Sequence, residues 1–382
     1  MERKPWLLLL MAVFIFLFAI PAAVKAEPSP KPVLQHVFII SADGLNYEGL
    51  VSVNCTNLKH IASEGVMDEK SLALSIDTVE AAQASLLTGT FPNEHKFITD
   101  KDKVQVESLF DVLKKNGKSF AIIDGSGGKL RPLAHGDSSY VKVDANKDDK
   151  EVLAEAYKHF EENNTFLTFI YVNDCREKLL TLDEKAYYNS VKNLDQEIGS
   201  FVAKLRKNNL YYNSLIVITS PRSSSPSDMV PLIIRGPGCT TNLNITGTMT
   251  LDALPTIAKI TGLPKPYSAR GIPIYEVIDI PADEKGYMMQ KWIAELKNER
   301  VITWNNYFDI QEELFRSIHQ ITAIKEEKQS AFDFVGEKEA AIAKLKSRIT
   351  KERILYLGIF ILMSAGYFVQ YKHLKKKFLL FR

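Results

Sequence analysis

The chain has 382 residues, of which 46% are hydrophobic and 25% are charged, and its formal net charge is +2. This composition is typical of a folded protein with one large core or two smaller ones, and it excludes global disorder. The small net charge provides no basic field of the kind that attracts nucleic acid, so we expect no nucleic acid partner.

The first residues have the pattern of an export signal. Arg3 and Lys4 precede an apolar run over 7–20, Pro21 ends that run, and Val24-Lys25-Ala26 offers a cleavage site with small residues. We therefore predict a signal peptide over 1–26, with an uncleaved membrane anchor as the alternative. Three cysteines would remain after cleavage, and an odd number predicts no internal disulfide framework.

Apolar runs of strand length alternate with helix-like segments between about residues 34 and 280. Continuous β-branched and aromatic runs are typical of strands that are buried on both faces, as in parallel sheets. The fold class predicted is therefore α/β, with a mostly parallel sheet flanked by helices. The predicted strands lie at 37–40, 120–123, 166–172, 215–219 and 232–234, and the predicted helices at 104–116, 151–163 and 184–208.

Residues 281–353 are predicted to form a helical stalk. No proline follows Pro281, and Glu, Lys, Ala, Ile and Leu dominate the segment. Apolar residues recur at helical spacing in two groups, and Gly336 is a natural point of interruption between them. The heptad pattern is too irregular to predict a coiled coil. The apolar stripe could pack on the globular domain, on a second helix, or on a partner protein.

An uncharged run at 354–371 predicts one C-terminal transmembrane helix. Eighteen residues at about 1.5 Å each nearly cross a hydrocarbon core of about 30 Å. Four lysines follow in the tail at 372–382, which favours a cytoplasmic C-terminus and an extracytoplasmic globular domain. The alternative, a buried core helix, is disfavoured by this basic cluster.

Five motifs occur in order in the globular part. They are SADG at 41–44, ASLLTGTFPNEH at 84–95, IVITS at 216–220, VPLIIRGPG at 230–238 and LDALPTIAKITGLPKP at 251–266. Together they resemble the alkaline phosphatase superfamily, most closely its type I phosphodiesterase/nucleotide pyrophosphatase and sulfatase-like branches. The resemblance implies two metal ions, usually zinc, and a Thr or Ser nucleophile that cleaves phosphate or sulfate esters.

The resemblance assigns each position of such a site, and several positions here have lost the required chemistry. Asp43 matches the first aspartate ligand. The nucleophile position falls on Val79, which has no hydroxyl, and Thr78 lies one residue away. The family's Asp-x-x-x-His motif reads Asp174 with Lys178 in place of the histidine.

The remaining ligand motif is also changed. The family's Ser-Asp-His-Gly reads Ser220-Pro221-Arg222-Ser223, and no histidine occurs between His159 and His319 to supply the last ligand. Two carboxylates therefore survive of about six ligands, which is too few for a zinc pair. We expect Asp43 and Asp174 to be vestigial ligands and expect no bound metal.

Losing the metal ions would leave buried carboxylates without a counter-charge, which is costly unless a cation replaces the metal. Lys178 and Arg222 stand at former ligand positions. We therefore predict that Arg222 pairs with Asp43 and that Lys178 pairs with Asp174. The alternative is that both cations point into solvent.

Other conspicuous residues are assigned structural roles. His95 is expected to be a hydrogen-bonded support, and Asp195 and Asp252 are expected to cap or pack helices. The glycine-rich segment at 125–128 lacks the Ser or Thr of a phosphate-binding loop and is predicted to be a turn after a strand.

Three functions remain open from the sequence. The first is a membrane-anchored pseudoenzyme, without a cofactor, that binds a protein or an anion near Lys178 and Arg222. The second is a hydrolase with a rearranged site that uses Thr78, Asp43, Asp174 and Asp228 around zinc or another divalent metal. The third is a membrane assembly protein that acts through its helical stalk.

Overall fold

A computed structural model of the chain describes residues 32–134, 139–222, 229–281 and 283–378, apart from the side chains at 299, 304, 308 and 378. The predicted signal peptide lies outside these residues. The chain divides into two compact units, 1–296 and 297–382, and each is described by itself below.

The first unit contains one eight-stranded sheet with helices on both faces. Its strands are β1 (His36–Ala42), β2 (Val66–Leu72), β3 (Phe120–Asp124), β4 (Tyr140–Lys142), β5 (Leu167–Val172), β6 (Ser214–Thr219), β7 (Met229–Arg235) and β8 (Leu243–Asn244). Their spatial order is β4-β3-β5-β1-β6-β7-β2-β8. All five predicted strands are confirmed, while β2, β4 and β8 were not predicted. β2 carries charged residues and β4 and β8 are very short, so none of them has the apolar run of a buried strand.

The helices fall between the strands, as the α/β pattern predicts. They are α1 (Tyr47–Ser52), α2 (Thr56–Ser63), α3 (Val79–Thr88), α4 (Pro92–His95), α5 (Leu109–Lys115), α6 (Asp149–Asn163), α7 (Asp174–Leu180), α8 (Glu184–Lys207), α9 (Ala253–Thr261) and α10 (Lys285–Phe378). Short 3-10 turns lie at Arg131–Ala134, Tyr211–Asn213, Thr250–Asp252 and Tyr275–Val277.

The sheet is mostly parallel. β1 lies at its centre and pairs in parallel with β5 on one side and β6 on the other. β7 runs antiparallel to β6 and to β2. The C-terminal ends of β5, β1 and β6 therefore lie side by side.

Each face of the sheet carries its own hydrophobic core. Successive side chains of a strand point to opposite faces, so Phe38 and Ile40 belong to one core while Val37 and Ile39 belong to the other. Residues of α2, α6 and α8 cover the first face, and residues of α3, α5 and α9 cover the second. Asp43 follows directly after β1, which is covered on both faces.

The second unit is the continuation of α10. This helix of 94 residues begins at Lys285 and runs without a break through Gly336, so the predicted interruption is wrong. A glycine costs about 1 kcal/mol relative to alanine inside a helix, and the surrounding helix-forming residues outweigh that cost. The helix contains an 18-residue window with a mean hydropathy of 1.6, long and apolar enough to cross a membrane.

Candidate functional site

The residues at three of the site positions assigned by the resemblance lie at the C-terminal ends of three neighbouring parallel strands. Asp43 follows β1, Asp174 follows β5, and Arg222 follows β6. The backbone joins the first two segments, since the Asp43 N–H donates to the Val172 carbonyl (2.9 Å) and the Arg176 N–H donates to the Asp43 carbonyl (3.0 Å). This is the edge at which parallel α/β sheets bind ligands.

Gly44 permits the sharp turn after Asp43. Its φ is +87°, and a Cβ atom at this position would lie 2.3 Å from the Arg176 nitrogen. Only glycine tolerates both the positive φ and this close approach. The Gly44 N–H also donates to the Ser220 Oγ at 3.3 Å, which links the turn to the segment after β6.

Asp43 and Arg222 form a buried ion pair, which confirms this prediction. The Nη2 of Arg222 lies 2.7 Å from the Oδ2 of Asp43, and the Nε lies 3.1 and 3.2 Å from the two carboxylate oxygens. The side chains are 0% exposed for Asp43 and 3% exposed for Arg222. Because the guanidinium contacts both oxygens, the pair has the geometry that gives strong charge-assisted hydrogen bonds.

Further contacts fix this pair in place. The fully buried Tyr171 hydroxyl donates to the Asp43 Oδ2 at 2.9 Å. The Nη1 of Arg222 donates to the carbonyls of Ile76 (3.2 Å) and Asp77, which lie just before α3. Arg222 therefore connects the end of β1 to the loop that precedes the expected nucleophile position.

The surroundings of Arg222 favour the charged form of its guanidinium. Burial lowers the pKa of the Arg222 guanidinium, but the hydrogen bonds and charge of Asp43 outweigh this effect and the net pKa is raised. Burial, followed by the Asp43 charge, raises the pKa of Tyr171 well above its usual range. Tyr171 therefore remains a neutral donor to the carboxylate.

Asp174 is placed differently, and its predicted pairing with Lys178 is wrong. Lys178 is exposed on α7, and among the described residues no ion pair within 4.0 Å joins it to Asp174. The Oδ2 of Asp174 instead accepts a hydrogen bond from the backbone N–H of Asp149 at 3.1 Å. The carboxylate thus contacts the first turn of α6, which lies 25 residues earlier in the chain.

Asp149 completes a reciprocal arrangement with Asp174. Its Oδ1 accepts hydrogen bonds from the backbone N–H groups of Asn173 (3.0 Å) and Asp174 (3.1 Å). Burial and the nearby Asp174 charge raise the pKa of Asp149 from 3.8 to about 7. Burial also raises the pKa of Asp174. These two carboxyl groups stabilise the helix starts at the edge of the site.

Thr78 is the N-cap of α3. Its backbone is extended, with φ −91° and ψ 144°, and its side-chain oxygen accepts from the Ala81 N–H at 3.3 Å. Val79 begins the helix and offers no hydroxyl. The Thr78 hydroxyl therefore has a structural role that needs no catalysis.

The described residues do not fit a dinuclear zinc centre of the kind that the fold family uses. Both oxygens of Asp43 contact Arg222, the Oδ2 of Asp174 contacts the α6 backbone, and Pro221 has no side-chain donor atom. In the described part of the chain, no group of three or more His, Cys, Asp or Glu side chains could hold a metal ion. Ser223 and Asp228, which belong to the altered ligand motif and to the rearranged-site hypothesis, lie outside the described residues.

The residues that were predicted to be structural are confirmed in that role. His95 is buried, with its Nε2 3.0 Å from the Ser85 Oγ and its Nδ1 accepting from the Phe97 N–H at 3.0 Å. Asp195 accepts from the N–H groups at the start of α2, and Asp252 accepts from the Met249 and Ile272 N–H groups.

The glycine-rich segment at 125–128 forms the predicted turn after β3. The carboxylate of Asp124 organises it by accepting from the N–H groups of Ser126 (2.8 Å) and Leu130 (3.0 Å). The hydroxyls of Ser126 and Tyr140 also donate to this carboxylate, at 2.5 Å each. Its acceptor sites are thus used by the turn and by Tyr140 of β4.

Sequence reasoning missed Tyr171 and Asp149. Tyr171 occupies an apolar strand, where its hydroxyl cannot be distinguished from a core tyrosine by pattern alone. Asp149 is the first residue of α6, and acidic residues are common in the first turn of a helix, so the sequence offered no sign of a further role. Only the alternation of β5, which places Tyr171 on the same sheet face as Asp43, could have indicated its role.

Comparisons with known proteins agree with this architecture. No protein-family model matches the chain. The choline-sulfatase of Rhizobium meliloti (strain 1021) is 27% identical over 104 residues, which cover 24% of this chain and only 20% of that protein.

Two solved structures share the fold of the globular part. Human ectonucleotide pyrophosphatase/phosphodiesterase 5 aligns with a TM-score of 0.57 and 11% identity, over 64% of this chain and 100% of that chain. A protein in the alkaline phosphatase superfamily from Vibrio parahaemolyticus aligns with a TM-score of 0.51 and 15% identity, over 64% and 73% of the two chains. The chain therefore has the fold of the alkaline phosphatase superfamily.

Proposed function

We propose that this chain is a membrane-anchored pseudoenzyme, in which the globular domain no longer hydrolyses esters and instead binds or scaffolds a partner. The observation that carries the proposal is the buried guanidinium of Arg222 against both oxygens of Asp43. A cation made by the chain itself neutralises the carboxylate that the resemblance assigns to the metal.

This ion pair argues against zinc on Asp43. A zinc ion needs about four donor atoms, including nitrogen or sulfur in most sites. The Arg222 guanidinium has only hydrogen-bond donors and cannot coordinate zinc. It also contacts both oxygens of Asp43, the carboxylate that would otherwise supply one zinc ligand. Metal binding would require the expulsion of a buried arginine, and Asp43 would then be the lone ligand on its side.

The proposed arrangement places the globular domain, about residues 34–280, outside the cytoplasm. Residues 281–353 would form the stalk, 354–371 the membrane span and 372–382 a cytoplasmic tail. Lys372, Lys375, Lys376 and Lys377 support this orientation because positive charge accumulates on the cytoplasmic side of a span. The partners would be the membrane and a protein or anion that contacts the domain.

A hydrolase with a rearranged site is the second candidate. Two observations favour it: the Thr78 hydroxyl lies at the start of α3, and the similar proteins named above are a sulfatase and a pyrophosphatase/phosphodiesterase. In this case Thr78 would be the nucleophile and Asp43, Asp174 and Asp228 would surround fewer metal ions.

Metal analysis and activity assays distinguish the two candidates. The full chain, purified in detergent and incubated with Zn²⁺, is analysed for bound zinc and assayed on p-nitrophenyl phosphate, bis(p-nitrophenyl) phosphate and p-nitrophenyl sulfate. We expect no stoichiometric zinc and no turnover above that of the Thr78→Ala variant. Stoichiometric zinc together with turnover that Thr78→Ala abolishes would refute the pseudoenzyme. Ser108→Ala, which removes the N-cap of α5, is the matched control for a loss of activity through destabilisation.

A further inference from the structure

The stalk part of α10 carries an apolar seam with a seven-residue repeat. Because the helix continues through Gly336, the residues on either side of that glycine share one register. Positions a of the repeat are Leu314, Ile321, Lys328, Val335, Ile342 and Ile349, and positions d are Ile310, Ser317, Ile324, Ala331, Lys338 and Leu345. Nine of these twelve residues are apolar, and Gly336 falls at position b on the outer side.

The seam is uncovered within its own unit. Its large apolar residues are about half exposed or more, from Ile349 at 48% to Ile324 at 63%. A helix of this length with a mostly apolar stripe is not stable in water by propensity alone and needs a partner surface. The partner must therefore match the stripe over 40 residues, or about 60 Å at roughly 1.5 Å per residue.

The period of the seam specifies what kind of surface can cover it. A straight α-helix drifts by ~20° per heptad from a seven-residue repeat, so the drift over residues 310–349 would exceed ~100°. Only a second helix that supercoils with the first keeps such a seam buried along its whole length. A globular surface would meet the stripe over a few turns only.

The charges in and beside the seam fit a second copy of the same helix. In a parallel, in-register pair, a residue at a packs beside the g residue that precedes its counterpart, and a residue at d packs beside the e residue that follows it. Glu327 occupies the g position next to Lys328, and Glu339 occupies the e position next to Lys338. Each seam lysine of one copy would therefore meet a glutamate of the other.

We propose that residues 310–349 form a parallel, two-stranded coiled coil with a second copy of this chain. β-Branched residues at positions a, here Ile321, Val335, Ile342 and Ile349, favour two strands. The two seam lysines favour a pair as well, because their charged ends reach water at the side of a two-stranded core. This pairing is independent of whether the globular domain is active.

The first test measures mass and contact in the full chain purified in detergent. Light scattering should give a protein mass of two chains, and Ile321→Lys combined with Ile342→Lys should give the mass of one. The matched control, Phe315→Lys with Ala343→Lys, changes two outward b positions and should leave the pair intact. A native mass of one or three chains would overturn the proposal.

Cysteine crosslinking tests the parallel register. The native Cys55, Cys175 and Cys239 are buried, so an oxidant such as copper phenanthroline should leave them unpaired between chains. Ala331→Cys at position d should give a disulfide-linked dimer about tenfold more efficiently than Ser330→Cys at position c. Equal crosslinking of the two variants contradicts a seam at this position.

A charge exchange tests the lysine–glutamate contacts. Lys328→Glu should weaken the pair, because the new glutamate of each copy would lie beside Glu327 of the other copy and repel it. Adding Glu327→Lys to the same chain should restore the pair in a parallel, in-register arrangement. Failure of the double variant to recover, with Ala331→Cys crosslinking lost, would show that the two copies do not pack in this register.

Discussion

Asp43 and Asp174, the two carboxylates that the resemblance assigns to metal ligands, lie after neighbouring strands but are held by different contacts. Asp43 is fully buried and meets the guanidinium of Arg222 and the hydroxyl of Tyr171. Asp174 is half-buried, its carboxylate accepts from the backbone N–H of Asp149 at the start of α6, and the charge of Lys178 acts on it without a direct ion pair among the described residues. The difference in burial explains why Asp43 needs a cation in direct contact and Asp174 does not, because a full charge is tolerated in the interior only with a counter-charge.

Lys178 shows why a cation at a position that the resemblance assigns to a ligand need not form an ion pair. It lies in the last turn of a seven-residue helix whose outer face is solvated. An exposed pair would contribute only about 0–1 kcal/mol, so little drives the long side chain back toward Asp174. Arg222 has no such freedom, since it follows the central part of the sheet and is buried.

The largest expected effect on the free energy of unfolding distinguishes Arg222 from Lys178. Arg222→Met leaves Asp43 buried with Tyr171 as its remaining side-chain donor, so we expect a loss of about 3–5 kcal/mol in the free energy of unfolding. Lys178→Met changes an exposed side chain and should alter stability by less than about 0.5 kcal/mol. Pulse proteolysis of the full chain across a urea series measures both.

A double variant controls for lost packing. Asp43→Asn added to Arg222→Met removes the stranded charge and should recover part of the lost stability, since contacting residues are not additive. Similar losses of stability for Arg222→Met and Lys178→Met would contradict the view that only the buried cation contributes to stability.

The Asp174 side should instead respond to pH. Folded Asp149 keeps its proton up to about pH 7, whereas the unfolded carboxyl loses it near 3.8. The folded state therefore binds more protons in this window, and stability falls as the pH rises through it, by at most ~4 kcal/mol. Asp149→Asn should flatten this decline, measured as urea midpoints between pH 4 and 8.

The neighbouring Asp148→Asn is the matched control, because Asp148 is an exposed N-cap and asparagine caps equally well. It should keep most of the pH dependence of the native chain, because the Asp148 charge is the smallest of the causes that raise the pKa of Asp149. If the decline survives Asp149→Asn unchanged, the Asp149–Asp174 contact is not its source.

Tyr171→Phe tests how much the hydrogen bond from Tyr171 to Asp43 contributes to stability. The ring remains, but a buried carboxylate loses one donor, and we expect a loss of about 1.5–3 kcal/mol. Tyr188→Phe removes a similar hydrogen bond to Glu184 at an exposed position and should cost well under half as much. Equal losses would mean that burial does not strengthen the Tyr171 contact.

The sequence was sufficient for the ion pair at Asp43 because the resemblance places Asp43 and Arg222 at ligand positions of one metal, and a buried carboxylate without a metal needs a cation. It was insufficient at Asp174, where the competing group, the Asp149 backbone, lies 25 residues away and is brought near only by the packing of α6. The same limit applies to β2, whose charged residues hide a strand that is stabilised by pairing with β7. The effect of Gly336 could not be predicted from that residue alone either, since helix formation is cooperative and depends on the residues on both sides.

Thr78→Ala has a smaller expected effect on stability than the changes at Arg222, Asp149 and Tyr171, and it distinguishes the pseudoenzyme from the hydrolase. Loss of an N-cap typically costs about 1 kcal/mol, and Thr78→Ser should retain most of the capping because serine also accepts from the third helical N–H. If Thr78 only caps α3, both variants differ from the native chain in urea midpoint alone. If it is a nucleophile, Thr78→Ala abolishes turnover at urea concentrations where the chain is still folded, while Thr78→Ser keeps a measurable rate.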